Sequence, residues 1–501
     1  MIRRRLFLPL LLLPSAAFAN YKPSNEQPPE PMREFRGAWV ASVWNIDWPS
    51  TPMISAADQR NELTKILDEA ARLKLNAIIL QVRSECDAMY DSKIEPWSYW
   101  LTAKQGRPPG DGVDPLPRAI REAHDRGIEL HAWFNPFRAR ANAKPPAASN
   151  HVTVRNRDWL LPAEGKVWLN PGLRAVQDRA INVMVDVAKR YDVDGIHIDD
   201  YFYPYPKPAG DGKMKLGFND AATYLKYKQS GGRLNVSDWR RSQIDGFIQR
   251  LSQSVHQAKS GVKFGVSPFG IHRPGHPAGI EASLDAYEHL AADARKWLDQ
   301  GWVDYLSPQL YWRIDDKPHS YTTLVKWWAQ QNSKGRHLWP GIASARIKAD
   351  GADKNRRASE SIRQIEQARQ FANNGQGAGH IHWSWNAIAK DRDGLKKALA
   401  DPYAEPALVP ATPWLATEAW RQSDRPNVNF KLRSDGIAVD WRAMAKARWF
   451  VVQSKHNGAW KTEQILPGSA ASFVFARSPQ AFSIRAVDRF GQLSPAAVMS
   501  R

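Results

Sequence analysis

DGIHIDDYFYPYP, residues 194–206, opens as a short apolar run and ends in two adjacent carboxylates, Asp199 and Asp200, followed by Tyr201, Tyr203 and Tyr205. In a strand, side chains alternate between faces, so His197 and Asp199 share one face while Ile196 and Ile198 share the other. Similar short runs recur in both directions from this one, at 36–43, 76–83, 128–135, 263–269, 303–312, 337–343 and 379–386. Between them lie segments with helical apolar spacing, at 56–73, 115–126, 174–190, 239–259, 285–299, 320–333 and 355–373. Eight strands alternating with helices predict a parallel sheet, because parallel neighbours need a crossover, and eight strands suffice to close it. The expected fold is an α/β (β/α)8 TIM-type barrel over 34–404. A doubly wound open sheet would carry a glycine-rich first turn, and none follows 36–43.

Two connections after strands are long, 136–173 and 201–238. Loops after barrel strands sit on the face where active sites form, so these two are expected to build the substrate groove. Past residue 404 the pattern changes. Pro406, Pro410 and Pro413 mark a linker, and short alternating runs at 436–441, 448–454, 472–476 and 481–488 predict a small all-β sandwich over 411–501. Its closing AFSIRAVDRFGQLSPAA, 481–497, resembles the last strands of a fibronectin type III domain.

Arg3, Arg4 and Arg5, the apolar run Leu6–Leu13 and Ala17-Phe18-Ala19 have the three regions of a secretory signal peptide, with cleavage expected after Ala19. A periplasmic or otherwise secreted, soluble protein follows. Residues 20–33, rich in Pro, Asn, Glu and Gln, are expected as a flexible leader. Cys86 is the single cysteine, so core burial and not an internal disulfide must hold the fold. The formal charge of +19 favours polyanionic partners, but no Lys/Arg-rich block or nucleic-acid motif accompanies it, which excludes a nucleic-acid reading. The 22 tryptophans suit sugar platforms.

Polar residues at period two mark the ends of several strands: Gln81 and Arg83, His131 and Asn135, His197 and Asp199, Ser307 and Gln309, His382 and Ser384. Five strands with one feature at one end predict a shared pocket. Glycoside cleavage passes through an oxocarbenium-like state, which needs a carboxylate beside the anomeric carbon and a second acid for the leaving oxygen. Asp199 and Asp200 supply the first. The second could be Asp87, Glu85, Asp315, Asp316 or Glu281. Arg36 and Arg83 could pair with a glycan carboxylate or hold Asp199 ionised. A rival reading uses His131, His197 and the His380-x-His382 pair to hold a divalent ion for hydrolysis or deacetylation. A second rival is a glycan-binding protein without turnover.

The segments EFRGAWVASVWNIDWPS (34–50), LQVRSECDAMYDSKIEPWSYWLT (80–102), HAWFNPFRA (131–139), WLNPG (168–172), DGIHIDDYFYPYP, VSPFGIHR (266–273) and YLSPQLYW (305–312) resemble a glycosyl-hydrolase-like family once known only as a domain of unknown function. The resemblance spans roughly residues 33 to 400. It implies a barrel that hydrolyses envelope glycan, with peptidoglycan strands stripped of stem peptides as substrate and division proteins as possible partners. It also selects Asp87 as the second carboxylate. The fourth-strand motif further resembles the nucleophile strand of the α-amylase-like superfamily, where an Asp sits four residues after the Gly, here Asp199; related barrels with a single Asp before Tyr favour Asp200. VSPFG at the fifth strand offers no Glu for the acid. Family members carry Gly where this chain has Cys86, so that thiol is not expected to be essential. The expected substrate-binding set is Arg36, Trp39, Asn45, Arg83, His131, Asn135, His197, Tyr201, His272, Gln309, Tyr311, Trp312 and Trp383, with no metal or cofactor and a monomeric chain.

Overall fold

The computed structural model describes residues 21–501 except 164, 211–213, 373–376 and 434–435, so the expected signal peptide lies outside the described residues. Eight parallel strands form the central sheet: β1 Glu34–Val40, β2 Ala77–Arg83, β3 Glu129–Phe134, β4 Gly195–Ile198, β5 Lys263–Val266, β6 Tyr305–Leu306, β7 in two pieces, His337–Leu338 and Gly341–Ile342, and β8 Ala378–His382. The first piece of β7 pairs with β6 and the second with β8, while β8 pairs with β1 through Ala378↔Glu34 to His382↔Ala38. The sheet therefore closes on itself as a barrel.

Its packing explains two glycines in the motifs. A Cβ at Gly195 would lie 2.3 Å from His131 Nδ1, and one at Gly265 would lie 2.0 Å from Tyr305 Cζ. These positions face the barrel axis and leave room for the rings opposite. There Phe35, Trp39, Trp133, Tyr305 and Trp339 form the inner core, with Phe35 stacked on Trp339 at 3.8 Å.

The outer layer comprises α1 Ala56–Arg72, α2 Pro115–His124, α3 Arg174–Arg190, α4 Val236–Ala258, α5 Ala294–Asp299, α6 Tyr321–Gln330 and α7 Ala358–Phe371. Ser55, Asp114 and Asn235 each accept a backbone N–H at the start of their helices, satisfying donors that the first turn leaves open. The continuous helix expected at 285–299 is instead broken into Ala286–His289 and α5. Asp285 caps the first piece and Asp293 the second, and Ala291 between them is left-handed with φ of 55°. Two capping aspartates within one apolar periodicity restart the helix.

Two antiparallel sheets follow: one of β9 Val428–Arg433, β10 Gly436–Trp441 and Ser472–Phe475, the other containing Trp449–His456, Ala459–Pro467, Ala481–Val487 and Ala497–Ser500. They sit against the barrel end from which the strands start: Arg448 bonds Asp194 at 2.5 Å and Asp192 at 2.8 Å, and Trp414 Nε1 donates to Asp304 at 2.7 Å. The leader expected to be flexible is instead fixed here. Tyr21 is buried, Lys22–Pro23 pairs with Met499–Ser500, and Glu26 and Glu30 pair with Lys455 and Arg485. Its prolines suit an edge strand, where a missing donor costs nothing. Among the described residues, no helix is long and apolar enough to cross a membrane.

Candidate active site

The end of β4 sets the site. Ile196 and Ile198 bury into the helix layer, His197 turns inward to the Tyr305 hydroxyl at 3.0 Å, and Asp199 is the next inward residue. Its Oδ2 accepts from Trp133 Nε1 at 3.1 Å and from Asn135 Nδ2 at 3.2 Å, both from the end of β3. Asp200 begins the loop and leans the other way, accepting from the Tyr205 hydroxyl and the Gln309 side chain. Between them lies Arg138, its guanidinium 4.8 Å over the Tyr201 ring and its backbone N–H 3.0 Å from Asn135 Oδ1. Asn135 thus ties Arg138 to Asp199 with one amide.

Asp199 keeps 4% of its surface exposed and Asp200 2%, beneath a half-buried rim of Tyr201, Tyr205, Gln309, Tyr311 and Trp383. Burial, reinforced by the neighbouring Asp200, pushes the Asp199 carboxyl up to about 7. Burial raises Asp200 to about 6, restrained by the donors Tyr205 and Gln309. Two buried carboxyls beside one cation lose their protons in separate steps, so between about pH 6 and 7 the pair holds one proton. That state offers an acid and a base together. The pH profile of kcat/KM is expected to peak between about 6 and 7 and fall on both flanks, the acid limb as Asp200 gains its proton and the alkaline limb as Asp199 loses its own. A profile flat from pH 5 to 9 would remove the pair from the chemistry.

Both long loops carry structure of their own. The first folds into a three-stranded antiparallel sheet of Arg138–Arg140, Leu160–Ala163 and Lys166–Leu169, and the second into the hairpin Lys207–Pro208 with Met214–Lys215 and the helix Ala221–Gln229. Between them runs a groove of about 670 Å³ walled by Trp168, Tyr201, Tyr205 and Phe218. Every described lining residue comes from these two loops.

The structure gathers part of the expected set. Asn135, Tyr201 and Gln309 touch the carboxylate pair or adjoin it. Trp383 stands 6.0 Å from Trp133 and 6.5 Å from Tyr311, which places both at the mouth. Trp39 lies deeper, donating to His197 Nε2 at 3.2 Å.

Others have different work. Arg36 is fully buried on the outer side of β1, paired with Glu34 at 2.7 Å and lying 4.5 Å over the Tyr403 ring, so it cannot meet a glycan. Arg83 is locked bidentate to Glu95, both contacts 2.7 Å, and does not pair with Asp199; Arg138 is the cation there. Asp87 has no exposed surface, and its Oδ2 accepts from Gln105 at 2.9 Å and from the Tyr99 N–H at 3.3 Å. It belongs to a loop-tying cluster with Glu85, and among the described contacts none joins it to Asp199 or Asp200. Asn45 holds its loop by donating to Pro49 O and Trp100 O. His272 lines a separate depression with Asp293, and Trp312 packs on His319 and Phe269.

The histidines of the metal reading do not converge on an open position. His131 shares the Tyr305 hydroxyl with His197 and meets Glu129 through Nε2 at 3.0 Å, while His382 spans Ser344 and Tyr403. Both ring nitrogens of His131, His197 and His382 are engaged within the fold, and His380 meets the Tyr403 hydroxyl through Nε2 at 2.5 Å. Among the described residues, no group of three His, Cys, Asp or Glu is arranged to hold an ion.

Sequence reasoning missed Arg138, Trp168 and Asp47. Asp47, raised to about 6 by burial, ties Ala41 of the first loop to Ser384 and Asn386 after β8, at 2.7–2.8 Å. Arg138 lies in HAWFNPFRA (131–139) and Trp168 in WLNPG (168–172), but nothing local marks which loop residue turns toward β4.

A closed parallel barrel with two buried carboxyls at an aromatic mouth is an architecture suited to glycoside hydrolysis. The chain belongs to the glycosyl hydrolase-like 10 family, whose profile matches residues 34–357. It is 37% identical over 395 residues to the glycosyl hydrolase YngK of Bacillus subtilis, covering 77% of this chain and 75% of that one. It is 36% identical over 353 residues to the glycosyl hydrolase DigH of Escherichia coli K12, covering 65% of this chain and 77% of that one. Among solved structures, the glycoside hydrolase domain of PgaB from Bordetella bronchiseptica aligns with a TM-score of 0.46 and 12% identity, over 74% of this chain and 98% of that one.

Proposed function

We propose that this enzyme is exported to the cell envelope and cleaves peptidoglycan glycan strands that lack stem peptides, with Asp199 and Asp200 carrying the chemistry. The observation behind this reading is the pair itself, two buried carboxylates of unequal surroundings at the end of β4. Each member accepts from two side-chain donors, Asp199 from Trp133 and Asn135 and Asp200 from Tyr205 and Gln309; Asp199, raised further by the charge of Asp200 beside it, holds the proton, and Asp200 is the member kept ionised. Asp199 then gives its proton to the glycosidic oxygen as the bond to the anomeric carbon breaks, ionised Asp200 faces the positive charge that develops there, and a water bonds to that carbon while passing a proton to the emptied Asp199 carboxylate, which restores the pair. Arg138, stacked on Tyr201, steadies the pair without neutralising it. The aromatic walls supply faces for sugar rings, and the overall surplus of positive charge suits an acidic polymer. Cleavage within the strand, at a groove between loops, is the expected mode. A role alongside the division machinery is part of the same reading.

The test is incubation with purified strands freed of peptides by an amidase, followed by assay of new reducing ends and strand length. Shortened strands with new ends support the reading. Intact strands, with hydrolysis of a different polysaccharide, would keep the enzyme class and overturn the substrate.

A further inference from the structure

The ladder between β8 and β1 stops at His382↔Ala38, so Trp383 stands one residue beyond the last strand pair that closes the barrel. Its backbone is tied toward β7, its N–H donating to the Ile342 carbonyl at 2.8 Å and its carbonyl accepting from the Ala345 N–H at 2.7 Å. Toward β1 the segment after it depends on Asp47. That carboxylate accepts through Oδ1 from the Ser384 hydroxyl at 2.8 Å and the Asn386 N–H at 2.7 Å, and through Oδ2 from the Ala41 N–H at 2.8 Å. The Asn386 side chain adds a bond to the Ile46 carbonyl at 2.9 Å. Asp47 also donates its own N–H to the Ala41 carbonyl at 3.0 Å, which closes the first loop into a short ring and makes it a firm anchor.

The residue type is informative. Elsewhere the fold covers its buried carboxylates with cations, Glu34 with Arg36, Glu95 with Arg83, Glu129 with Lys263 and Asp194 with Arg448. Among the described residues no cation pairs with Asp47. Burial pushes it up to about 6, so near neutral pH it is ionised and the three donors alone offset its desolvation. An ionised carboxylate presents two accepting oxygens, whereas an amide in its place would turn its NH2 against the Ala41 or the Asn386 N–H. Asp47 thus suits a tie between two loops. What the tie holds is Trp383, half-buried at the mouth, 6.0 Å from Trp133, 6.1 Å from Trp39 and 6.5 Å from Tyr311. Trp133 donates to Asp199, so the indole of Trp383 borders the reacting centre.

We propose that Asp47 is a positioning residue for substrate: by joining the first and eighth loops across the barrel seam it sets the angle of Trp383, on which a sugar ring stacks. The inference rests on the glycan-hydrolase reading above and adds a residue that, among the described contacts, touches neither Asp199 nor Asp200. Its effect belongs to binding and not to the bond-breaking step, so it is expected to fall on KM.

The experiment is a double-mutant cycle on peptide-free strands near neutral pH, reading KM, kcat and the Kd for strands in wild type, Asp47→Ala, Trp383→Ala and the double variant, with urea unfolding alongside. Trp383→Ala is expected to raise KM about three- to tenfold, the worth of one aromatic face, and Asp47→Ala by a similar factor, with most of the loss in kcat/KM carried by KM. The double variant is expected to be no worse than Trp383→Ala, because no ring is left to place. Asp47→Asn keeps one accepting oxygen for Ser384 and Asn386 and is expected to fall between wild type and Asp47→Ala. Three results overturn the proposal: KM effects that multiply in the double variant, Asp47→Ala protein that loses stability at unchanged KM, and Trp383→Ala protein with the KM of wild type. If Asp47→Ala does not fold, the same cycle with Asp47→Asn decides. Strands that wild type binds but does not cut overturn the hydrolytic reading, and the cycle is then read from Kd; strands neither bound nor cut overturn both.

Discussion

Asp199→Asn and Asp200→Asn are each expected to lower hydrolysis of peptide-free strands by about 10²–10⁴-fold, the range for losing a positioned acid or base, while the protein becomes harder to unfold above neutral pH. The second half of that expectation separates a catalytic pair from a structural one. A folded carboxyl raised to about 7 from its ordinary 3.8 binds a proton that the unfolded chain has already lost. Between those values the native state therefore holds more protons than the unfolded state, and stability falls as pH rises through the window. An amide never ionises, so the advantage of Asp199→Asn starts near pH 4 and is complete above pH 7, at about 1–3 kcal/mol. Asp200→Asn gains over a narrower window, closing near pH 6. Chemical unfolding at pH 5 and pH 8, with reducing-end assays alongside, reads both quantities. Activity that survives both substitutions would sink the site assignment, and a stability loss at pH 8 would make the pair a structural element.

The same pair shows why some of this molecule is legible from sequence. Strands β1 to β8 are buried on both faces, so each reads as an apolar run, and the helices between them read by period. Asp199 and Asp200 are visible because their chemistry is local: an apolar strand ending in two acids. Depth and partnership are not local. Arg36 and Arg83 sit in similar motifs, yet one faces outward onto Tyr403 and the other meets Glu95 across a turn. His131 and His197 look like ligands until Tyr305, far along the chain, places one hydroxyl between them. Asp87 follows the second strand as Asp199 follows the fourth, but Gln105 and Tyr99 fold over it and close it from solvent.

Arg83 leads to the other large effect, one of stability transmitted to the site. Its guanidinium meets Glu95 through Nε and Nη2 at 2.7 Å each, and neither side chain is exposed by more than 3%. Burial is the largest influence and works to raise the Glu95 carboxyl, but Arg83, with Arg179 3.7 Å away and His151, together outweigh it, and the group stays below its ordinary range. Such a pair gains little over an apolar replacement, yet removing one member strands the other charge without water, at about 3–5 kcal/mol. Glu95→Gln is therefore expected to lose about 3–5 kcal/mol, measured by urea unfolding. Replacing both members, Arg83→Met with Glu95→Leu, should restore most of that stability. Activity should not return with it. Arg83 also donates through Nη1 to the carbonyls of Asn135 and Pro136, and the Asn135 side chain holds Asp199. With those carbonyls unheld, the turn that positions Asn135 can shift, and kcat should stay several-fold below wild type while KM changes little. Glu95→Gln protein as stable as wild type would show that Arg83 finds another partner. A double variant with full kcat would show that Asn135 keeps its place without the guanidinium beneath it.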